Sequence, residues 1–294
     1  MITIRFFLFA LVAFSCSSSP YVADTHSVDF TAENLFTRNI EGPAFDKHGI
    51  LYVVNYQTNG TIGKVHVDGS CELFVVLPEG SNANAIQFNS MNEMLLADWT
   101  MHNILRVNME TKQIDTLCHN EQFNQPNDIC INSNDQLFAS DPHWKTGTGQ
   151  LWRIDPNGTA ILLEDSMGTT NGVCLSPDER TLYVNESIQR KVWKYDVDND
   201  GNIFNKHLLI EFSDFGMDGM KCDREGNLYI TRYGLGTIAV VSPRGELLRE
   251  VQLQGKNCSN LVFGGSDGRT VFVTLQDRKG IEKFRNNICN VPPI

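Results

Sequence analysis

The hexapeptide Asn127-Asp-Ile-Cys-Ile-Asn132 decides the fold, because its pattern returns 44 residues later as Asn171-Gly-Val-Cys-Leu-Ser176. Four further segments begin with a polar residue and continue as a short apolar strand; they start at Glu41, Asn84, Asp218 and Asn260. Successive starting points are 42 to 47 residues apart, and a turn rich in Asp, Asn and Gly and further short strands follow. Repeats of this length with four strands each are typical of β-propeller blades.

The repeats therefore predict an all-β fold, a six-bladed β-propeller with four antiparallel strands per blade. Six repeats occupy the chain from about residue 41 to residue 285, so we expect one domain over residues 24–290. The stretch from Val28 to Thr37 precedes the first repeat and is predicted to add a strand to the last blade. This addition closes the ring and leaves no open sheet edge.

Composition narrows the classes of partner. The 294 residues include 24 Lys and Arg against 35 Asp and Glu, a formal charge of −11. Nucleic acid and anionic membrane surfaces repel such a chain unless a basic patch intervenes, and the sequence contains no such patch. We therefore expect no nucleic-acid partner and contact with a membrane only through an N-terminal lipid anchor. The oligomeric state stays open.

The N-terminus has the features of an export signal. Arg5 precedes the apolar run Phe6–Phe14, which is too short to span a bilayer. Cys16 and three serines follow, as in a bacterial lipoprotein signal, so residues 1–15 are predicted to be cleaved with Cys16 as the acylated new N-terminus. The expected location is the periplasm or cell envelope, with secretion after ordinary signal cleavage as the alternative.

Seven cysteines remain after Cys16, without a CxxC pair or a zinc-type spacing. Cys130 and Cys174 occupy the same place in successive repeats, where sheets packed ~10 Å apart are too distant for a disulfide. They are predicted to be small buried hydrophobes. Pairing of Cys258 with Cys289 remains open.

Polar residues form two predicted rings at one end of the channel. The innermost strands all start at one face, which gathers an inner ring at the repeat starts: Glu41, Asn84, Asn127, Asn171, Asp218 and Asn260. Fourteen residues after each of these, the second strand returns to the same face and ends in an outer ring: Asn55, Asp98, Asp141, Asn185, Arg232 and Thr274.

The inner ring allows two interpretations. Asn and Asp before Gly are common turn residues, which explains any one blade without a function. Glu41 is a poor turn residue, however, and two carboxylates crowded among amides repel each other unless a cation compensates. Oxygen ligands without His or Cys favour calcium, magnesium or manganese over a structural zinc. Calcium is the ion expected first, with magnesium, manganese and zinc as alternatives.

These motifs resemble the gluconolactonase and regucalcin (senescence marker protein) family of six-bladed propeller lactonases. The resemblance covers the mature chain and is carried by Glu41-Gly-Pro, Pro126-Asn-Asp128, Asn171-Gly, Asp218-Gly-Met and Asn260-Leu-Val-Phe-Gly-Gly265. It implies one catalytic divalent cation held by Glu41, Asn171 and Asp218, with Asn127 near metal and substrate. It also implies that Asp218 acts as general acid and base while metal-activated water opens a sugar lactone.

Five residues are assigned to substrate binding: Gln125, Asn127, Asp141, His143 and Arg232. Gln125 stands where regucalcin-like members carry an arginine that binds sugar, and His143 follows Asp141 on the next loop. Arg232 in the outer ring is suited to a developing oxyanion or a substrate carboxylate. An ion pair of Arg232 with Asp98 or Asp141 is the competing interpretation.

Three hypotheses of function follow. The first is a metal-dependent lactonase in the cell envelope, and the second is a related ester or phosphoester hydrolase on the same metal site. The third is a non-catalytic ligand-binding propeller whose ion is structural. The acidic and amide set favours the two enzymes.

Overall fold

A computed structural model describes residues 22–289. The predicted signal segment, residues 1–15, and Cys16 lie outside the described residues. Within the described range the chain forms 24 strands in six four-stranded antiparallel sheets and no helix, so the predicted all-β six-bladed propeller is confirmed. That part of the chain accordingly holds no helix long and apolar enough to cross a membrane.

Each of the first three blades is built from four consecutive strands, with the first strand innermost. Blade 1 contains β2 (Phe36–Phe45), β3 (Leu51–Tyr56), β4 (Thr61–Val65) and β5 (Cys71–Val76). Blade 2 contains β6 (Ala83–Phe88), β7 (Met94–Asp98), β8 (Asn103–Val107) and β9 (Ile114–His119). Blade 3 contains β10 (Ile129–Ile131), β11 (Leu137–His143), β12 (Thr148–Ile154) and β13 (Ala160–Met167).

The next two blades repeat this order, and the last one uses both ends of the chain. Blade 4 contains β14 (Thr170–Leu175), β15 (Thr181–Glu186), β16 (Lys191–Val197) and β17 (Ile203–Glu211). Blade 5 contains β18 (Met220–Cys222), β19 (Leu228–Arg232), β20 (Thr237–Val241) and β21 (Leu247–Gln252). Blade 6 contains β22 (Cys258–Gly264), β23 (Thr270–Leu275), β24 (Gly280–Arg285) and β1 (Val28–Asp29).

The ring closes as predicted from the stretch before the first repeat. Strand β1 pairs antiparallel with β24, with Val28 opposite Lys283, and so completes the outer edge of blade 6. Inner strand β2 of blade 1 also packs on β22 and β23 of blade 6. Phe272 stacks edge-on between Phe30 and Phe45, with ring centroids 4.8 and 5.4 Å away, and this aromatic contact holds the two ends together.

The hydrophobic core is divided into six clusters, one between each pair of adjacent blades. Alternate residues of the inner strands face either neighbouring sheet, as the period of two in a β-strand requires. Cys130 and Cys174 are buried in these clusters as predicted, and none of the seven described cysteines, including Cys258 and Cys289, forms a disulfide. The core therefore fixes the blades rigidly around the central channel.

Glycine allows the inner strands to approach each other at the channel mouth. A Cβ on Gly219 would lie 2.1 Å from Cγ of Asn260, and a Cβ on Gly42 would lie 2.7 Å from Cα of Ala85. Gly42 also has φ 53°, in the left-handed region that disfavours side chains. The glycine after each of Glu41 and Asp218 thus permits the close packing that brings the inner ring together.

Candidate functional site

The structure brings Glu41, Asn171 and Asp218 together on the axis. Glu41 lies in β2 and Asn171 in β14, while Asp218 lies two residues before the start of β18. The Asp218 carboxyl group lies in hydrogen-bonding reach of both Glu41 and Asn171. Glu41 and Asn171 are almost fully buried, whereas Asp218 keeps part of its surface open to the mouth of the channel.

A third carboxyl group and one ammonium group lie among these residues. Asp128 accepts hydrogen bonds from the Ile129 and Val173 amides at 3.0 and 3.2 Å. Its Oδ2 lies 3.9 Å from Nζ of Lys221, on the inner strand of blade 5. Three carboxylates, those of Glu41, Asp128 and Asp218, therefore face a single ammonium group inside the channel.

Burial raises the pKa of all three carboxyl groups. The pKa of Glu41 rises to about 8, chiefly because burial penalises its charged form and partly because Asp128 lies nearby, although the Gly42 amide opposes the shift. The pKa of Asp218 rises well above its usual value through burial and the charges of Glu41 and Asp128. The site is thus electrostatically incomplete, because ionising all three carboxyl groups would leave an excess of negative charge that Lys221 alone does not balance.

Two amide oxygens of the inner ring lack hydrogen-bond partners. They are Oδ1 of Asn127 and Oδ1 of Asn171, both buried. A buried polar atom without a partner loses its hydration without compensation. Both oxygens are lone-pair donors available to a cation or to a substrate hydroxyl group.

These features fit a divalent cation. Three carboxylates against Lys221 leave two negative charges, which one dication neutralises, and the orphaned amide oxygens are ligands that calcium accepts. Within residues 22–289 no three His, Cys, Asp or Glu side chains form a metal cluster by themselves. The candidate ligand set therefore combines the two carboxylates of Glu41 and Asp218 with Asn171 and Asn127.

The outer-ring residues are buried. Most of them form hydrogen bonds with the few residues that directly precede an inner-ring residue, here called the lead-in segment of that blade. Asp98 accepts from the Asn82 amide at 3.0 Å and from Oγ of Ser81 at 2.7 Å. Nδ2 of Asn55 donates to the Asn39 carbonyl at 2.7 Å. In each case the partner lies two or three residues before an inner-ring residue, so these side chains fix its backbone.

Blade 4 departs from this arrangement. Its lead-in segment is held by Glu186 and Gln189, which accept from the Gly168 and Thr169 amides at 2.9 and 2.8 Å. Asn185 donates instead to the carbonyl of Asp218 in blade 5, at 2.6 Å. The outer ring therefore supports the backbone of Asp218 from the neighbouring blade.

Two residues assigned to substrate from sequence have structural partners. Asp141 accepts from the Asn124 amide at 2.8 Å, from the Gln125 amide and, at 3.1 Å, from Nε1 of Trp152. Burial nevertheless raises the pKa of Asp141 to about 6. Arg232 is in an ion pair, as the competing interpretation held, but with Asp214 at 2.8 Å and Glu250 at 3.7 Å rather than with Asp98 or Asp141.

The other predicted substrate residues lie on the same face. Gln125 is partly buried in the lead-in segment of blade 3, two residues before Asn127. His143 ends β11, and its Nδ1 contacts Oγ1 of Thr146 at 2.6 Å. Their roles toward substrate stay predictions.

Asp128 and Lys221 are the site residues that sequence reasoning missed. At the position of Asp128 the other five repeats carry Gly42, Ala85, Gly172, Gly219 and Leu261. At the position of Lys221 they carry Ala44, Gln87, Cys130, Cys174 and Phe263. A charge that occurs in one repeat alone, on a strand that lines a buried channel, was the available signal. A charge in a buried channel requires a partner of opposite sign. Asp128 and Lys221 are such partners for each other.

Known proteins resemble this chain over most of its length. The family described as the SMP-30/Gluconolactonase/LRE-like region matches residues 11–277. A gluconolactonase of Zymomonas mobilis is 26% identical over 270 residues, covering 80% of this chain and 75% of that protein. Diisopropyl-fluorophosphatase of Loligo vulgaris is 23% identical over 291 residues, covering 86% of this chain and 92% of that protein.

The fold has close counterparts among solved structures. The calcium-binding protein regucalcin of Agrobacterium tumefaciens superposes with a TM-score of 0.80 at 19% identity, covering 92% of this chain and 97% of its own. At that level of identity the likeness concerns the propeller architecture.

Proposed function

The chain belongs to the SMP-30/gluconolactonase/LRE-like family, and on that premise we propose that it is a lactonase-type carboxylic ester hydrolase that opens sugar lactones with a divalent cation. The observation that carries the proposal is the charge imbalance at the channel mouth. Glu41, Asp128 and Asp218 face only Lys221, and the Asn127 and Asn171 oxygens lack partners beside them. A relative over most of the chain is named a gluconolactonase.

The residues that would hold the cation are Glu41, Asn127, Asn171 and Asp218, with calcium favoured. When bound, the cation supplies positive charge that polarises the lactone carbonyl and offsets the buried carboxylates. Asp128 stays paired with Lys221 and with backbone amides, so it keeps the inner strands in place.

Asp218 is suited to move the proton, because it is the acid of this group that keeps surface open at the mouth. One of its oxygens accepts a proton from the attacking water while the water oxygen bonds to the carbonyl carbon. The same oxygen returns that proton to the ring oxygen as the ester C–O bond breaks, which yields the hydroxy acid. Nδ2 of Asn185 donates to the Asp218 carbonyl oxygen. This bond fixes the Asp218 backbone and so limits the movement of its carboxyl group.

The test is a pH-indicator assay with a panel of sugar lactones, in chelator and after addition of calcium, magnesium, manganese or zinc. We expect acid release with at least one cation and none in chelator. Asp218→Asn should lower turnover about 10³-fold, the range for loss of a proton-transfer group. Asp115→Asn, at an exposed aspartate on the outermost strand of blade 2, is the matched control and should keep full turnover.

A second candidate is hydrolysis of a phosphoester or phosphofluoridate, favoured by the match to diisopropyl-fluorophosphatase along most of both chains. Such substrates belong in the same panel with the same two variants. Turnover of these esters without any lactone would replace the first proposal. Cation-dependent stabilisation without turnover of either class would instead support a binding protein.

A further inference from the structure

Two adjoining cavities open on the same face as the channel mouth, where blades 1, 5 and 6 meet. One has a volume of about 530 Å³ and is lined by Thr37, Arg38, Asn39, Asn59 and Gln276. The other has a volume of about 380 Å³ and is lined by Arg38, Tyr233, Asn257, Gln276, Asp277 and Lys279. Because they share Arg38 and Gln276, they form one depression of the size of small-ligand sites.

The depression adjoins the acidic site. Arg38 precedes Glu41 by three residues on β2, a span of about 10 Å in extended chain. Tyr233 follows the end of β19 and lines the depression. Burial raises the pKa of its hydroxyl group, and the Asp218 charge raises it further while the Arg38 charge lowers it, so Tyr233 lies close to both regions. The hydroxyl group of Tyr233 donates to Oε1 of Gln276 at 3.1 Å, which fixes the ring at the boundary.

The cations of the depression are available to a ligand. The salt bridges within residues 22–289 do not include Arg38 or Lys279. By contrast, nearby Arg278 is held by Asp29, Glu33 and Glu282.

Asp277 also lines the depression but forms no ion pair with Arg38 or Lys279, so the three side chains together carry a charge of about +1. The two oxygens of Asp277 accept from the Lys256 and Asn257 amides at 2.8 and 3.2 Å, so the carboxylate is used in holding the loop. Two cations without acidic partners thus line one depression on a chain of formal charge −11. Their positive field attracts an anion to this depression, whereas the rest of the surface, with its net negative charge, repels anions.

We propose that Arg38, assisted by Lys279, binds an anionic substituent of the substrate, so that the preferred substrates are sugar lactones that carry a phosphate, sulfonate or carboxylate group. This inference rests on the proposed lactonase function. The lactone carbonyl lies at the Glu41 and Asp218 site, and the far end of the sugar reaches the depression. The guanidinium fork of Arg38 suits a planar or tetrahedral anion, and the Lys279 ammonium group adds a point charge.

The experiment compares glucono-1,5-lactone with its 6-phosphate, and with galactaro-1,4-lactone as the carboxylate arm. We expect wild type to have higher kcat/KM for the charged lactones and Arg38→Gln to lower the ratio of charged to neutral at least about tenfold, mainly through KM. Lys279→Gln should lower it less. A fall in either the phosphate or the carboxylate ratio supports the proposal and identifies the anion that is bound.

The control is Arg244→Gln, which removes the same charge at the opposite face. Arg244 lies in the turn between β20 and β21, is 82% exposed and pairs with Glu246 at 3.1 Å. This variant should leave both ratios unchanged. Ratios that are the same in Arg38→Gln as in wild type would overturn the subsite while leaving the lactonase proposal intact.

Should no lactone be turned over, the lactonase proposal fails and the subsite is tested by binding alone. Calorimetry then measures 6-phosphogluconate against wild type and Arg38→Gln. At least about tenfold weaker binding to the variant supports the anion subsite, whereas equal binding or none contradicts it.

Discussion

The inner and outer polar rings have the same sequence regularity, yet their side chains differ in what they contact. In the outer ring Asp98 has four hydrogen-bond donors around it, from Ser81, Asn82, Thr100 and Asn103. In the inner ring Asn127 and Asn171 keep buried oxygens without partners, and Asp218 faces another carboxyl group. The satisfied Asp98 holds the backbone, whereas the oxygens of Asn127 and Asn171 are open to a ligand.

Asn185 connects the two rings. It belongs to the outer ring by position, but its Nδ2 supports the Asp218 backbone and its Oδ1 lacks a partner. In that blade Glu186 and Gln189, in place of Asn185, accept the hydrogen bonds from the lead-in segment. The division between structural and functional residues is therefore set by contacts and cannot be assigned from the fourteen-residue offset.

The largest effect on stability is expected at Asp98. Asp98→Ala should lower the free energy of unfolding by about 4 kcal/mol, because it removes a fully buried acceptor and leaves its donors unsatisfied. Urea unfolding of wild type and variant measures this directly. A loss below about 1 kcal/mol would contradict a structural role for the outer ring.

Asp141 should give the outer ring a pH dependence. Its folded-state pKa of about 6 lies above the ordinary 3.8, so the folded protein holds this proton more tightly. The resulting stabilisation is present at low pH and lost as pH rises through about 6. Asp141→Asn should therefore cost about 2 kcal/mol more at pH 4.5 than at pH 8, measured by urea unfolding at both values. The charge of His102 favours the ionised form of Asp141. The same comparison of unfolding at pH 4.5 and pH 8 in His102→Gln is therefore the control.

The inner ring should respond in the opposite direction. At pH 9, above the pKa of about 8 that burial gives Glu41, Glu41→Gln should raise the free energy of unfolding in chelator by about 1 kcal/mol, because it removes one buried charge from a group that has too many. The same variant should lose the rise in melting temperature that calcium gives to wild type. A variant that is destabilised in chelator and still stabilised by calcium would contradict the difference between the rings.

The smallest effect on the free energy of unfolding is expected in blade 4, where Gln189 replaces an outer-ring residue as acceptor for the lead-in segment. Gln189→Ala should destabilise by about 1 kcal/mol, because the Thr169 amide loses its acceptor. Gln113→Ala, at an exposed glutamine whose side chain donates to neighbouring Asp115, serves as the control and should change stability by less than about 0.5 kcal/mol. Equal stability of the two variants would mean that Gln189 does not hold this segment.

Much of the fold could be predicted from sequence because each blade repeats the same pattern. The six inner strands and the closing strand were found, but not the register shifts within blades such as blade 1, whose third strand covers Thr61–Val65. Such shifts occur because β-bulges change the register, as between Ile62 and Gly63 in this blade. Local sequence does not encode these irregularities strongly.

The site could be predicted only in part, for a related reason. Glu41, Asn171 and Asp218 follow the repeat and were found, whereas Asp128 and Lys221 break the repeat and were not. The partners of Arg232, namely Asp214 and Glu250, lie outside both rings. A pattern that repeats predicts position, while contacts between segments that do not repeat require coordinates.

The central claim is that one dication lies on the axis between Glu41, Asn171 and Asp218. Anomalous X-ray diffraction from crystals soaked in manganese tests it most directly, because Mn²⁺ accepts the same oxygen ligands as calcium and can be located by its own signal. We expect one strong peak within bonding distance of these three side chains, and its loss in Asp218→Asn. A peak elsewhere on the propeller, or none in wild type, would contradict the claim.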